Sequence, residues 1–446
     1  MTETVFRLKR SLTSFQIMIL GFAGVILLGA LVLMLPIAAA SRTWTPFHEA
    51  LFTSTSAVCV TGLVVQDTGS YWSGFGQTVI LLLIQVGGLG VITAAVTFLM
   101  LSGRNISLKE RSAMQDAISA PAVGGIVRLT RFILKGTFLV ELVGTLALLP
   151  AFCRDYGLRG VWMAIFHSVS AFCNAGFDIL GRVDALYPSL TAYMADPLVN
   201  IVIMLLIIVG GIGFLTWDDV CTHWLHLRRY RMQSKVILSA TALLIVLPAT
   251  LFFLTDFAAL PTGERVLASL FQAVTPRTAG YNTADLTKMG DTSQAVTILL
   301  MLTGGAPGST AGGIKVTTLA VLAANAAAVF HRREEPQLFG RRLENSAVKN
   351  AAAILLLYLG LTFAGAAVIS AAEGLPLGVC LYETASAAGT VGLTLGLTPQ
   401  LGTLSQAVLI LLMFFGRVGG LTLIYAAFSG HDLTCARCPK EMITVG

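Results

Sequence analysis

The chain has 446 residues, 55% hydrophobic and only 12% charged, with a net charge of +6 and a mean hydropathy of +0.80. A soluble chain of this length would hold two or three domains, but this composition leaves most of the surface facing lipid or other helices. The charge is too small and scattered for a nucleic-acid surface, and seven dispersed cysteines, an odd number, make no disulfide framework.

The apolar run at 15–35 is too long for the core of a cleavable signal and long enough to cross a bilayer. It reads as a retained first transmembrane helix, stopped by Pro36. Pro46 opens a second helix at 47–57 that is too short to cross. A small-residue loop follows, and 75–101 returns across the bilayer. The order then recurs: 132–152, a half-helix at 161–172, a loop, and 197–217; next 236–254, a half-helix at 264–274, a loop, and a long segment at 293–330; last 351–371, a half-helix at 377–387, a loop, and 406–428. The expected fold is an all-α membrane protein of four helix–pore-helix–loop–helix repeats (1–110, 111–230, 231–345 and 346–446), with eight transmembrane helices in pseudo-fourfold arrangement around a central pore.

The loops carry the repeat. They read SAVCVTGL, SAFCNAGF, VTPRTAGY and SAAGTVGL, and align on Gly62, Gly176, Gly280 and Gly392, spaced 114, 104 and 112 residues apart. Three copies place Ser-Ala six and five residues before the glycine. The run SQAVTILLM from Ser293 recurs as SQAVLILLM from Ser405, again 112 residues on. Of the 29 Lys and Arg, 20 fall on one side in the termini and the linkers between repeats, against seven on the loop side. That bias places both termini in the cytoplasm of a plasma-membrane protein and the loops at the outer face.

Non-helical backbone persists at membrane depth only where protein buries it or where it lines a watery path. Four such loops can share an axis and turn their carbonyls inward, replacing the hydration shell of an alkali cation. The candidate ligands are Val60, Thr61 and Gly62, Asn174, Ala175 and Gly176, Thr278, Ala279 and Gly280, and Thr390, Val391 and Gly392. Glycine suits them because it tolerates unusual φ/ψ and lets backbones approach. Glu383 and Asn174 are expected to brace the loops by hydrogen bonding.

The run GGAPGSTAGG (304–313) cannot hold a helix, so a loop is expected inside the membrane beneath the filter. It is a candidate gate, with Gly304, Gly305, Gly308, Ser309, Thr310, Gly312, Gly313 and Lys315. Arg417 interrupts the last apolar span and should face the interior. It either sets an electrostatic barrier in the path or serves structurally, satisfied by helix-end carbonyls; Lys315 is expected near the gate or snorkelling to the cytoplasmic edge. The glycine pairs at 87–88, 210–211 and 419–420 suit close packing or bending, and the sequence does not choose between them. A nucleotide loop at GSTAGGIK is disfavoured, since Ile314 separates glycine from lysine and no strand precedes it. A hydrolase using Ser309 lacks a histidine base in a persuasive arrangement.

TGL at 61–63, NAGF at 174–177, TAGY at 278–281 and TVGL at 390–393, with GSTAGGIK and Arg417, resemble the Trk/Ktr/HKT superfamily of potassium transporters over nearly the whole chain, most closely its KtrB-type membrane subunits. The resemblance implies K⁺ uptake, with glycine at all four filter positions matching K⁺ preference; members with serine in the first position tend toward Na⁺. It further implies K⁺ at the filter glycines, Na⁺ as an activator or coupling ion, a homodimer with one pore per protomer, and a cytosolic nucleotide-binding RCK ring. Arg277 in the third loop and the Cys435/Cys438 pair are features it does not assign a role.

Overall fold

The computed structural model describes residues 13–91, 93–96, 111–112, 114–115, 125–224, 226–420 and 422. The N-terminal basic residues, the ends of the expected 75–101 and 406–428 helices and the Cys435/Cys438 tail lie outside them. The chain is mostly helical: α1 (Ser14–Leu33), α2 (Phe47–Val58), α3 (Gly74–Leu89), α4 (Ile126–Tyr156), α5 (Arg159–Phe172), α6 (Pro197–Gly211), α7 (Phe214–His223), α8 (Met232–Leu254), α9 (Thr262–Val274), α10 (Asp291–Leu302), α11 (Val316–Phe330), α12 (Asn345–Glu373), α13 (Leu377–Gly389) and α14 (Thr403–Val418). A two-residue hairpin pairs Gln337–Leu338 with Arg341–Arg342.

Four helices, α1, α4, α8 and α12, are long and apolar enough to cross a membrane. Their outward faces carry Leu28, Leu139, Leu247 and Leu356, all more than half exposed, while Thr53, Ser54, Thr55 and Ser56 of α2 are wholly buried. An apolar exterior around a hydroxyl-rich interior is the arrangement a bilayer stabilises and water does not. Of the eight full spans expected, the described residues therefore supply four by length. The returning helices are shorter.

All four returning segments depart from the continuous helices expected: α3 stops at Leu89 before Gly90 and α14 at Val418 before Gly419, and the other two break as follows. The 197–217 stretch is broken into α6 and α7, bent by 99°. Gly213 takes φ +87° there, and the Phe214 amide donates to the Gly308 carbonyl of the glycine-rich run (2.8 Å). A neighbouring loop thus supplies the acceptor that helix continuation would otherwise provide. The 293–330 stretch is likewise divided into α10 and α11 by the run that was expected to break it.

Three of the four half-helices start where proline sets the backbone; α5 instead follows Leu158. Pro46, Pro261 and Pro376 are the N-cap residues of α2, α9 and α13, with near-identical φ and ψ (−56°/141°, −56°/145° and −58°/135°). Each half-helix packs on the long helix before it, and each returning helix packs on the next half-helix: α3 on α5, α6 on α9, α10 on α13 and α14 on α2. The last contact closes the order into a cycle.

Carboxylates fasten the turns between long and returning helices. Asp256, just past α8, accepts from the Gly290 amide (2.9 Å) and the Ser293 hydroxyl (2.5 Å) at the start of α10. Glu373, ending α12, accepts in the same way from Gly402 (2.9 Å) and Ser405 (2.6 Å) at the start of α14. A negative charge at a helix N-terminus satisfies orphan amides and complements the dipole. Burial pulls the Asp256 carboxyl upward, but the hydrogen bonds from Ser293, Thr255 and Gly290 outweigh it and hold it below the ordinary carboxylate range. The stabilisation is therefore present above the unfolded value of about 3.9 and lost as pH falls through the lower folded value. Asp256→Asn is expected to cost about 1 kcal/mol, read as a lowered thermal midpoint in detergent, with the gap from wild type closing in acid.

Candidate functional site

The four glycine loops meet. A Cβ on Gly62 would lie 2.5 Å from the Ala175 carbonyl oxygen, and one on Gly176 would lie 2.5 Å from that of Ala279. On Gly280 it would run into the Val391 carbonyl, and on Gly392 into the Thr61 carbonyl, closer still. Each loop therefore sets its glycine against the next loop's carbonyl, in the order first, second, third, fourth, first. The ring closes on itself.

Backbone conformation repeats with it. Val60, Asn174, Thr278 and Thr390, each two residues before the glycine, have φ between +51° and +70°, and the glycines have φ between +67° and +95°. Non-glycine residues rarely hold positive φ unless their surroundings over-determine it. Here four do so at one register, and positive φ at alternate residues re-aims successive peptide planes.

The supports are local. The Gly62 amide donates to the Ser56 hydroxyl (3.1 Å) and the Gly392 amide to Ser386 (3.0 Å). In the second loop the Ser170 hydroxyl instead donates to the Phe177 carbonyl (2.9 Å). The third loop has Val274 where the others have serine, and Thr275 takes over, donating to the Tyr281 carbonyl. Tyr281 then reaches across, its hydroxyl donating to Phe177 (2.8 Å). Sequence reading missed both: the hydroxyl is displaced by one residue, and a tyrosine after the glycine looks merely bulky.

Asn174 joins loops two and three. Its amide nitrogen donates to the Ile207 and Ala171 carbonyls, and its oxygen accepts from the Thr278 hydroxyl (3.1 Å). Glu383 is wholly buried and accepts from Thr394 (2.5 Å), the Leu395 amide (3.1 Å) and Thr398 (2.6 Å). It thus ties down the chain just beyond the fourth loop. Arg277 turns away from the ring and donates to Thr241 on α8 (3.3 Å).

Glycine also sets the layer beneath. A Cβ on Gly87, Gly210 or Gly416 would strike the carbonyl of Val58, Phe172 or Ala388, at or beside the end of a half-helix. Three residues further on, Gly90, Gly213 and Gly419 take φ of +85°, +87° and +90° and end the returning helices. These glycines serve close packing and helix termination in one motif.

The 303–315 loop fits under this layer. Ala306 and Thr310 amides donate to Gly211 (2.9 Å) and Gly210 (3.3 Å), and Gly313 donates to Gly416 (3.2 Å). The Thr310 hydroxyl donates to Phe172 (3.1 Å), and a Cβ on Gly312 would collide with the Thr390 side chain. Gly304 and Gly305 pair with Ile314 and Val316 across the loop's base, while Ser309 donates to Ala306 (2.7 Å). Arg417 donates to the carbonyls of Thr310, Gly87 and Gly88. The guanidinium is satisfied by backbone carbonyls, as the structural expectation had it, and pins the loop to the end of α3. The Lys315 ammonium donates back to the Ala311 carbonyl of the same loop (2.7 Å).

Above the ring a cavity of about 310 Å³ opens, lined by the four glycines with Asp67, Asp178 and Tyr187. Asp67 is fixed by Ser70 and the Tyr187 amide. Burial, then the Asp67 charge, push the Asp178 carboxyl up to about 7. Below the loop a second cavity, about 290 Å³, is lined by Gly90, Ser309, Lys315, Arg417 and Tyr358. Sequence alone signalled neither carboxylate.

Gly62→Ala and Gly280→Ala should each abolish assembly of the ring, since left-handed strain of about 1–3 kcal/mol adds to collision with a carbonyl. Gly24→Ala on α1, which meets nothing within 4 Å, is expected to keep wild-type yield and thermal midpoint. Size-exclusion profiles and melting of the purified variants check this.

The comparisons with known proteins extend over the whole site. Residues 8–432 match the TrkH family model, described as cation transport protein. The chain is 37% identical to the potassium/sodium uptake protein NtpJ of Enterococcus hirae over 100% of both chains. It is 38% identical to the Ktr system potassium uptake protein B of Bacillus subtilis, covering 97% of this chain and 96% of that one. Its fold is similar to that of the potassium transporter TrkH of Vibrio parahaemolyticus, with a TM-score of 0.73, 19% identity, and coverage of 92% and 83%. The chain belongs to the TrkH family of cation transport proteins, a multi-pass membrane protein and a transporter, not an enzyme.

Proposed function

We propose that this chain takes up K⁺ through a channel-like pore whose selectivity filter is the closed ring of four loops. The observation that carries the reading is the cyclic seating of each glycine against the preceding-residue carbonyl of the next loop. Such a ring offers Thr61, Ala175, Ala279 and Val391 oxygens, with those of the adjoining Val60, Asn174, Thr278 and Thr390, as substitutes for water around a bare alkali cation. On this reading the four units 1–110, 111–230, 231–345 and 346–446 are repeats in pseudo-fourfold arrangement. Each long helix, half-helix and returning segment together make one quarter of the pore, and the returning segments complete eight crossings.

The 304–313 loop, pinned by Arg417 and backed by Lys315, is the gate. It sits between the filter and the lower cavity and is held by a few hydrogen bonds to α6 and α14, which can be exchanged without unfolding a helix. The positive-inside bias supports cytoplasmic termini. The exposed basic side chains at 228–231 and 332–342 on that face suit a partner, for which a cytosolic RCK ring is the proposed occupant, with a second protomer completing a homodimer. Na⁺ enters this account as an activator or coupling ion. A second reading, Na⁺ or weakly selective cation transport, is favoured by the relative whose name joins potassium and sodium.

Rb⁺ uptake into proteoliposomes under competition by K⁺ and Na⁺ separates the two. Wild-type Rb⁺ uptake should fall steeply under competing K⁺ and little under competing Na⁺; equal or stronger competition by Na⁺ would contradict the K⁺ reading of the filter. Arg417→Gln removes a charge from beside the path and unpins the loop. It should raise uptake by roughly fivefold, equivalent to about 1 kcal/mol of barrier, with ion order unchanged; a fall in uptake would assign Arg417 to structure alone.

A further inference from the structure

Glu141 lies at the midpoint of α4, 15 residues from either end of a 31-residue span, so it is about 22 Å along the helix axis from each terminus. It is only 5% exposed. An acidic side chain at that depth is costly when ionised and is retained for a reason. Neither the filter nor the gate as described uses it.

Its surroundings are specific. Among the described residues its buried Oε1 makes no well-formed hydrogen bond, and the same holds for Nε2 of Gln85, the α3 side chain that interacts with it directly. The other end of that amide is engaged: the Cys173 thiol donates to Gln85 Oε1 (3.7 Å). Cys173 caps α5 and immediately precedes Asn174 of the second loop. Two and three residues along α3 from Gln85 are Gly87 and Gly88, whose carbonyls hold Arg417. Gln85 therefore stands between the foot of one filter loop and the clamp on the gate loop, with a carboxyl group beside it.

Among the described residues no positive charge answers that carboxyl. The α3 neighbour is neutral, α5 contributes Cys173 and the Ser168 hydroxyl, which donates to the Glu141 main-chain oxygen (2.7 Å), and α6 contains no Asp, Glu, Lys, Arg, His or Cys. On α7, Trp217 meets α4 at Gly136, more than a turn away, and Asp219 is occupied by Ser234 and Arg231. Arg417 lies beyond α3 on its own carbonyls.

We propose that Glu141 is an intramembrane proton-binding site, whose carboxyl in the acid form donates to Gln85 Oε1 and in the ionised form accepts from Gln85 Nε2. The step is one proton added to one carboxylate oxygen, with no other bond made or broken. Its consequence is a choice at Gln85: an amide oxygen shared with the Glu141 acid holds the Cys173 thiol less firmly than one given to it alone. Proton uptake thereby reaches the second loop and the α3 segment that holds Arg417. Only the effect on flux rests on the transport reading; the protonation does not.

Infrared difference spectroscopy of the purified full-length protein reads the site directly. Wild type should show the carbonyl stretch of a buried carboxylic acid at neutral pH, fading on alkaline titration, absent from Glu141→Gln and shifted in Gln85→Leu. Rb⁺ uptake by the same proteins in liposomes should vary with pH in wild type and lose that dependence in Glu141→Gln. No acid band lost from Glu141→Gln relative to wild type, or superimposable pH profiles, would overturn the proposal. Should wild type carry no Rb⁺ at all, the transport reading fails while the infrared result still decides the site.

Discussion

Four backbone carbonyls, each pressed against the glycine of the neighbouring loop, are the contact from which the rest of the architecture follows. Only a residue without a side chain can stand at Gly62, Gly176, Gly280 or Gly392, because the space for a Cβ is already occupied by another loop's oxygen. That closeness requires the loops to be held from outside. The half-helices end at the loops, the returning helices lean on the next half-helix, and the cycle closes from α14 to α2. Exposed backbone at this depth is tolerated only because protein surrounds it on every side except the axis.

The layer below obeys the same steric rule. Gly87, Gly210 and Gly416 let the returning helices cross half-helix ends at backbone distance, and Gly90, Gly213 and Gly419 end them one turn later. The third quarter breaks the pattern: it offers a glycine-rich loop instead of a terminating glycine, and that loop fills the space the others leave. Arg417 spans the seam between loop and α3, so one buried cation is answered wholly by peptide oxygens, a role suited to the planar, many-donor guanidinium.

Much of this was legible in the residues, for identifiable reasons. Pro46, Pro261 and Pro376 mark half-helix starts because proline both fixes φ and cannot continue a preceding helix. The glycine register announces the loops, and the 304–313 run announces its own break. Other features were hidden by chemistry that depends on a distant partner. The bend after Gly211 needs the Gly308 carbonyl, 94 residues beyond the Phe214 amide it accepts from, to make it stable. Thr275 substitutes for an aligned serine only because the third loop is shifted by one residue. Three long helices, α4, α8 and α12, began before their expected limits, α4 at Ile126, because charged residues such as Arg128 and Arg131 end an apolar run without ending a helix. Glu141 was visible as a lone acid in an apolar span, yet what makes it notable, the idle nitrogen of Gln85, appears only in three dimensions.

The account stands or falls on where a bare cation rests. Crystals of the full-length protein grown in Tl⁺ or Rb⁺, with data collected at the absorption edge of the ion, answer this directly. An anomalous peak on the axis between Gly62, Gly176, Gly280 and Gly392, displaced by excess K⁺, is the predicted result. Peaks confined to other parts of the molecule, with none on that axis, would contradict it.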